Sequence, residues 1–369
     1  MEETSEDMPP GDPAGDPEAD QRHPDGTAAA RKRHTTRNVL LFFLVLFLAA
    51  ATVAGMFVFS LASSFDSKTQ KIPAAFPAEA LRPAPAPPAP AGTLQAMNVL
   101  VMGSDSRAAS VDTAEAGSAS DQRSDTMMWV HIPADRKGID VMSVMRDTWV
   151  NIPGHGEAKM NAALAYGGVP LVVQTLEGMF NTRLDHVAIV DFQGFKDLTD
   201  SLGGVDVRVP IPFDSYQLHG KHFDAGPQHM DGATALAFVR ERYAFVDGDY
   251  QRVRDQQIFL KAVLAKVFNA DTLANPLKIS TAVAGFAPYV TVDKTLDATA
   301  AGTLAWELRG LRPADLVSFT LPTKGTGWSP DGQQSIVLRD DAAIAQLGDA
   351  FSKDTLGNYL RSTGLDKGN

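Results

Sequence analysis

The sequence predicts an α/β protein, an α/β/α sandwich with a mixed central sheet, preceded by one transmembrane helix and a disordered N-terminal tail. Three observations support this prediction. From residue 97 onward, short apolar runs typical of buried strands alternate with helix-length amphipathic runs. An uncharged stretch between residues 38 and 65 is long enough to cross a bilayer. The first 30 residues are too acidic and too rich in Pro and Gly to form a core.

The first 95 residues divide into three predicted segments. Residues 1–37 form a disordered cytoplasmic tail that ends in a basic cluster. Residues 38–62 form the transmembrane helix, because 23 successive apolar or small residues span about 34 Å as a helix. The basic flank lies on the N-terminal side, which predicts a cytoplasmic N-terminus and an extracytoplasmic domain on the cell membrane. Residues 63–95 are rich in Pro and Ala and predict an extended extracytoplasmic linker.

Composition excludes several classes of protein and site. The chain has 369 residues and no Cys, so a disulfide, a thiolate zinc site and a cysteine nucleophile are excluded. The net charge is −11 and the basic residues are clustered, so no broad basic face for nucleic acid is expected. A cleaved signal peptide is the alternative to the membrane anchor, but its apolar region would span only about 7 to 15 residues.

The folded domain is predicted over residues 96–325, with a C-terminal strand–helix extension or tail over residues 326–369. Apolar runs of strand length predict strands at 98–102, 127–132, 139–144, 187–192, 205–209, 315–320 and 335–338. Apolar residues at helical spacing predict helices at 159–166, 169–180, 195–202, 231–240, 249–268, 272–286, 297–310 and 340–352. Glycine pairs separate the first two helices and end the third.

An arginine cluster lies in residues 240–254, with Arg240, Arg242, Arg252 and Arg254. Arg240 and Arg242 are two residues apart, about 200° on a helix, so the helix is expected to end near Arg240. Arg252 and Gln256 lie four residues apart on one face of the next helix. Guanidinium groups suit phosphate oxygens, although a solvated pair of salt-bridged helices is the common alternative.

Two carboxylates and two further cations lie at predicted strand ends and loops. Asp105 follows the first strand and Asp125 precedes the second, so antiparallel pairing of these strands would bring both carboxylates to one sheet edge. Two carboxylates with phosphate oxygens and water suit Mg²⁺; turn capping is the alternative. Arg146 and Lys159 complete a candidate polyanion cradle, unless each forms a structural ion pair.

Seven motifs in order resemble the LytR-CpsA-Psr family of cell-wall glycopolymer transferases, of the actinobacterial type. The match covers about residues 97–268. Its pieces are residues 98–107, 123–128, 143–147, 159–163, 190–205, 224–236 and the arginine cluster. The resemblance implies a membrane-anchored, Mg²⁺-dependent enzyme, with Mn²⁺ as the alternative ion. Such an enzyme moves a glycopolymer from an undecaprenyl-diphosphate carrier to peptidoglycan, as a phosphodiester on the muramic acid 6-hydroxyl.

The resemblance also assigns roles to residues. Asp105 and Asp125 look like the metal ligands, and Asp105, Arg146, Arg240 and Arg242 look like the catalytic set. Diphosphate is expected to contact Arg146, Lys159, Arg240, Arg242, Arg252 and Gln256. A prenyl tunnel is implied near Leu164, Phe180 and Leu260. One position departs from the family pattern, because Asp255 stands where the family often has Arg.

Two other functions fit the same residues. One is a non-catalytic envelope regulatory protein that binds polyprenyl diphosphate. The other is a prenyl-diphosphate hydrolase, in which water replaces the acceptor hydroxyl. The identity of the reaction product distinguishes all three.

Overall fold

The structure is a computed structural model that describes residues 28–104, 126–269 and 275–367, with side chains from residue 43. The chain divides into two compact units, Met1–Val58 and Phe59–Asn369. Helix α1 (Ala28–Lys68) begins ten residues before the predicted start at residue 38. Within it, Phe43–Lys68 is long and apolar enough to cross a membrane by length and composition. The predicted tail up to residue 27 lies outside the described residues.

The second unit alternates strands and helices as expected. The strands are β1 (Gln70–Lys71), β2 (Met97–Ser104), β3 (Thr126–Ile132), β4 (Ile139–Val144), β5 (Trp149–Ile152), β6 (Gly156–Lys159), β7 (His186–Asp191), β8 (Val205–Val209), β9 (Phe213–Asp214), β10 (His222–Phe223), β11 (Gly226–Met230), β12 (Val290–Val292), β13 (Leu316–Thr320), β14 (Thr323–Trp328) and β15 (Ser335–Arg339). The helices are α2 (Ala162–Phe180), α3 (Phe192–Ser201), α4 (Gly232–Arg240), α5 (Asp249–Val267), α6 (Pro276–Phe286), α7 (Ala298–Glu307), α8 (Asp341–Ser352) and α9 (Leu356–Thr363).

Seven strands form a mixed central sheet in the order β1-β12-β7-β2-β3-β4-β13. The pairs β1–β12, β7–β2 and β4–β13 are parallel, whereas β12–β7, β2–β3 and β3–β4 are antiparallel. Alternate residues of each strand point to opposite faces. Trp129 packs with Phe180 and Phe351 on one face, in the layer of α2, α8 and α9. Met128 lies on the other face of the sheet and packs in a hydrophobic cluster with Leu260 of α5. The predicted α/β/α sandwich with a mixed sheet is therefore confirmed.

The Pro/Ala-rich segment differs from an extended linker, because part of it is built into the domain. Strand β1 pairs with β12 at the edge of the sheet, and Ile72 is fully buried in the main core. Arg82 donates from Nε to Glu177 on α2, with an Nε–Oε2 distance of 3.1 Å, and from Nη2 to the carbonyl of Leu184 at 2.6 Å. The folded unit therefore begins well before residue 96.

Local differences from the predicted elements lie around residue 159 and after residue 326. A hairpin, β5–β6, occupies the position predicted for the start of a helix, so Lys159 ends a strand and α2 begins at Ala162. The predicted break at the glycine pair is present, because Gly168 has φ 65° and ψ −161° within α2. The predicted C-terminal extension contributes Leu347 and Phe351 to the main core.

Candidate functional site

Arg240 and Arg242 lie at the end of α4 and in the turn after it. Asp231 caps α4 by accepting a hydrogen bond from the backbone N–H of Thr234 at 2.8 Å. The helix ends at Arg240, as predicted, and its guanidinium lies over the ring of Phe192, 4.3 Å from the centroid. Arg242 follows in the turn and stacks on Tyr243, 4.5 Å from that centroid.

A buried carboxylate fixes the turn that carries Arg242. Glu241 is fully buried. The backbone N–H groups of Arg242 and Tyr243 each donate to its Oε1 at 3.0 Å. The backbone N–H of Tyr216 donates to Oε2 at 2.7 Å, which ties the turn to the neighbouring loop. The sequence did not single out Glu241, because its role depends on a loop that is distant along the chain.

Asp249 is the carboxylate on which three arginines converge. Its Oδ2 lies 3.3 Å from Nε of Arg146 and 3.1 Å from Nη2 of Arg252, and its Oδ1 lies 3.5 Å from Nη1 of Arg242. Burial lowers the pKa of Arg242, but Tyr243 and Asp249 outweigh burial and raise it. Sequence reasoning treated Asp249 as part of a turn. Its spacing of three residues from Arg252 was the available signal.

The buried face of α5 supports this cluster. Gln257 Nε2 donates to Ser143 Oγ at 3.1 Å, which ties α5 to β4. Gln256 Nε2 donates to the carbonyl of Val239 at 3.2 Å, just before Arg240. These contacts explain how a helix that is remote in sequence holds Arg252 and Gln256 beside the other arginines.

The side chains of Asp255 and Arg254 contact Gln251 and Asp247 rather than supporting the arginines around Asp249. Asp255 is fully buried and accepts a hydrogen bond from Gln251 at 2.8 Å. Burial raises its pKa to about 7, against the effects of Gln251 and Arg254. Arg254 binds Gln251 and Asp247. Among the arginines of α5, the structure therefore places Arg252 beside Asp249 and Arg254 beside Asp247.

The arginines also line an apolar cavity of about 380 Å³. One wall is the sheet face of Val101, Met128 and Val190, and the opposite wall includes Phe195, Leu236, Phe259, Leu260 and Val263 from the covering helices. Arg146, Arg240, Arg242, Arg252 and Gln256 all line this cavity. Leu260 lines it as predicted. Leu164 and Phe180 pack instead in the core on the other face of the sheet, so their prediction as tunnel residues is wrong.

Lys159 lies in a polar cleft beside the apolar cavity. Its Nζ is 3.2 Å from Oδ1 of Asp147, whose Oδ2 is 3.8 Å from Nε of Arg146. Arg146 and Arg242 line both the cleft and the apolar cavity, so Lys159 belongs to the same continuous surface as the arginine cluster.

Asp105 and Asp125 lie outside the described residues. The sequence places both carboxylates at one sheet edge if the strands that flank them are antiparallel neighbours. The structure meets this condition, because β2 and β3 are antiparallel neighbours with Gly103 opposite Thr126. Gly103 and Thr126 also line the apolar cavity. Within the described parts of the chain, no group of three or more His, Asp or Glu side chains is arranged to hold a metal.

The model of the LytR_cpsA_psr family matches residues 57–347. The chain belongs to the LytR_cpsA_psr family. The matched range includes β1 and Arg82, and it contains every arginine of the site described above. It also begins before residue 96, in agreement with the folded unit seen in the structure.

Two relatives of this chain have names that describe a transferase or a role in cell-wall biosynthesis. The polyisoprenyl-teichoic acid–peptidoglycan teichoic acid transferase TagU of Enterococcus faecalis is 33% identical over 47% of this chain and 56% of the relative. The probable cell wall biosynthesis protein LcpB of Corynebacterium glutamicum is 37% identical over 51% of this chain and 47% of the relative. The chain spans about half the length of the curated relatives it matches.

Solved structures of family proteins share the fold. TagV of B. subtilis has a TM-score of 0.59 at 24% identity, over 71% of this chain and 97% of that chain. A structure of TagT bound to LI-WTA has a TM-score of 0.54 at 26% identity, over 71% of this chain and 91% of that chain.

Proposed function

We propose that this protein is a membrane-anchored phosphotransferase that moves a glycopolymer from an undecaprenyl-diphosphate carrier onto peptidoglycan. The observation that carries the proposal is an apolar cavity lined in part by Arg146, Arg240, Arg242 and Arg252, three of which meet at Asp249. A prenyl chain requires an apolar cavity, and its diphosphate requires several fixed cations at one end of that cavity. The names of the family relatives, which describe teichoic acid transfer to peptidoglycan, support the same reaction class.

The arginines provide electrostatic stabilisation rather than covalent chemistry. Phosphoryl transfer depends mainly on positioning and on neutralising phosphate charge. Asp249 holds three of the guanidinium groups in one place, and each presents a fork of donors suited to phosphate oxygens. Because the arginines are positioned in advance, little rearrangement is needed when charge develops in the transition state.

A divalent cation, Mg²⁺ or alternatively Mn²⁺, is proposed at Asp105 and Asp125. The antiparallel register of β2 and β3 supports this, because each Asp is adjacent in sequence to one of these neighbouring strands. When bound, the ion would neutralise diphosphate charge and orient its oxygens.

The membrane anchor is proposed to be α1. Its apolar span, Phe43–Lys68, is long enough to cross a bilayer. The basic residues before it support a cytoplasmic N-terminus and an extracytoplasmic domain.

Transfer by the full chain in detergent tests the proposal. The substrates are a short-chain prenyl-diphosphate sugar, Mg²⁺ and a peptidoglycan oligomer. Because each arginine supplies preorganised donors, Arg240→Ala and Arg242→Ala should each reduce the rate about 100-fold or more. Arg208→Ala, an exposed arginine on β8, should leave the rate unchanged and is the matched control. Normal transfer by both site variants would refute the assignment.

A further inference from the structure

The polar cleft beside the apolar cavity has a volume of about 440 Å³. The two spaces share Arg146 and Arg242, so a phosphate bound by these residues borders both. The lining that belongs to the cleft alone includes Asp147, Lys159, Asn161, Tyr166 and Gln334. A site with an apolar compartment on one side and a polar compartment on the other suits two substrates of different chemistry.

The walls of the cleft offer groups suited to a saccharide. Tyr166 is 43% exposed, and its ring stacks on His155 of the β5–β6 hairpin with centroids 4.7 Å apart and planes at 17°. This stacking fixes an aromatic face at the cleft. In the described part of the chain, no hydrogen bond joins the side-chain amide of Asn161 or Gln334 to another residue. Both amides are therefore available to sugar hydroxyl and amide groups.

The direction of attack favours the cleft as the entry of the nucleophile. In phosphoryl transfer the attacking and leaving oxygens lie roughly in line across phosphorus. The lipid phosphate is the leaving group, and its prenyl chain occupies the apolar cavity under the proposed function. The acceptor hydroxyl must then approach from the side away from the prenyl chain, and the polar cleft is a second space that Arg146 and Arg242 line.

We infer that the polar cleft is the acceptor subsite and binds a glycan segment of peptidoglycan against Tyr166. The inference rests on the proposed function. The acceptor oxygen forms a bond to the distal phosphorus as the bond from that phosphorus to the bridging oxygen breaks. The electron pair leaves with the lipid monophosphate. The hydroxyl proton is released into the cleft, where Asp147 is the carboxylate among the described lining residues.

The test separates the two substrates kinetically and by direct binding. With the full chain in detergent, KM is measured for a peptidoglycan oligomer and for the prenyl-diphosphate sugar. Oligomer binding without donor is measured by isothermal titration. Since an aromatic contact contributes about 0.5–1.5 kcal/mol, Tyr166→Ala should raise the acceptor KM and Kd about two- to tenfold. The donor KM should change less than twofold. Tyr166→Phe, which keeps the aromatic face, should restore most of the affinity.

Trp306→Ala, an exposed aromatic on α7, is the control for loss of an exposed ring. An unchanged acceptor KM and Kd in Tyr166→Ala would overturn the inference. A rise in donor KM instead would place the donor sugar in the cleft and would also overturn it. If the wild type bound oligomer through Tyr166 but formed no product, the proposed function would fail while the binding assignment stood.

Discussion

The contact between Arg82 and Glu177 decides whether the Pro/Ala-rich segment is part of the folded domain. Glu177 is fully buried on α2, and Arg82 is the cation that pairs with it. Arg82 also donates to the carbonyl of Leu184 and lies 4.6 Å from the ring centroid of Phe76. Arg82→Ala would leave the Glu177 carboxylate in the interior without its cation.

Removing one partner of a buried ion pair costs about 3–5 kcal/mol, because the remaining charge is neither solvated nor paired. The second unit has about 310 residues. At about 2.1 cal/mol/K per residue, its unfolding entropy is about 0.65 kcal/mol per degree. Arg82→Ala should therefore lower Tm by about 5–8 °C.

Differential scanning calorimetry of the full chain in detergent measures this shift. Glu79→Gln is the matched control, because Glu79 lies in the same segment and pairs with Arg183 at an exposed position. The control should leave Tm unchanged. The double variant Arg82→Ala with Glu177→Gln should recover part of the loss, because the buried charge is then removed as well. An unchanged Tm in Arg82→Ala would show that this segment is not docked on the domain.

Three further predictions concern stability. Burial raises the pKa of Asp293, but hydrogen bonds from His186, Thr295 and Val187 outweigh it and lower the pKa to about 2. Its contribution, about 2 kcal/mol, is therefore present above pH 4 and lost as pH falls toward 2. In urea titrations, Asp293→Asn should remove that dependence. Burial raises the pKa of Asp255 to about 7 in the folded protein. Between pH 4 and 7 this carboxyl ionises in the unfolded chain but stays protonated in the folded protein, so wild-type stability falls as pH rises through this range. Asp255→Asn should be more stable than wild type at pH 8 but not at pH 4; equal gains at both would contradict this. Gly194→Ala would drive its new Cβ into Cβ of Tyr289 and should lower the free energy of unfolding by about 1–3 kcal/mol, measured by chemical denaturation. Gly178→Ala on α2 brings its Cβ within 4 Å of no atom beyond its chain neighbours and the local helix backbone, and should not destabilise.

Sequence reasoning found the central strands because their apolar runs are set by burial on both faces of the sheet. The run from Asn98 to Met102 lies in β2, and the run from Ile139 to Val144 is β4. It did not find β1, because a two-residue edge strand carries no periodicity. Nor did it detect the docking of Arg82, which depends on a carboxylate 95 residues away.

The arginines were found because they cluster in sequence near Arg240 and at a strand end near Arg146. The residues that position them were harder to find. Glu241 acts through backbone N–H groups, and Asp249 pairs with arginines from three separate parts of the chain. Buried residues such as Leu164 and Phe180 share the apolar character of cavity residues. Only the three-dimensional structure shows which face of the sheet each one occupies.

Transfer is tested by identifying the product that the full chain forms from a prenyl-diphosphate sugar, Mg²⁺ and a peptidoglycan oligomer. Mass spectrometry with ³¹P NMR distinguishes the products. We expect an oligomer heavier by one sugar phosphate, a diester phosphorus signal and an equal amount of prenyl monophosphate. Free sugar phosphate with unmodified oligomer would show a hydrolase, and bound donor that stays intact would show a binding protein. Either result would contradict the proposed transfer.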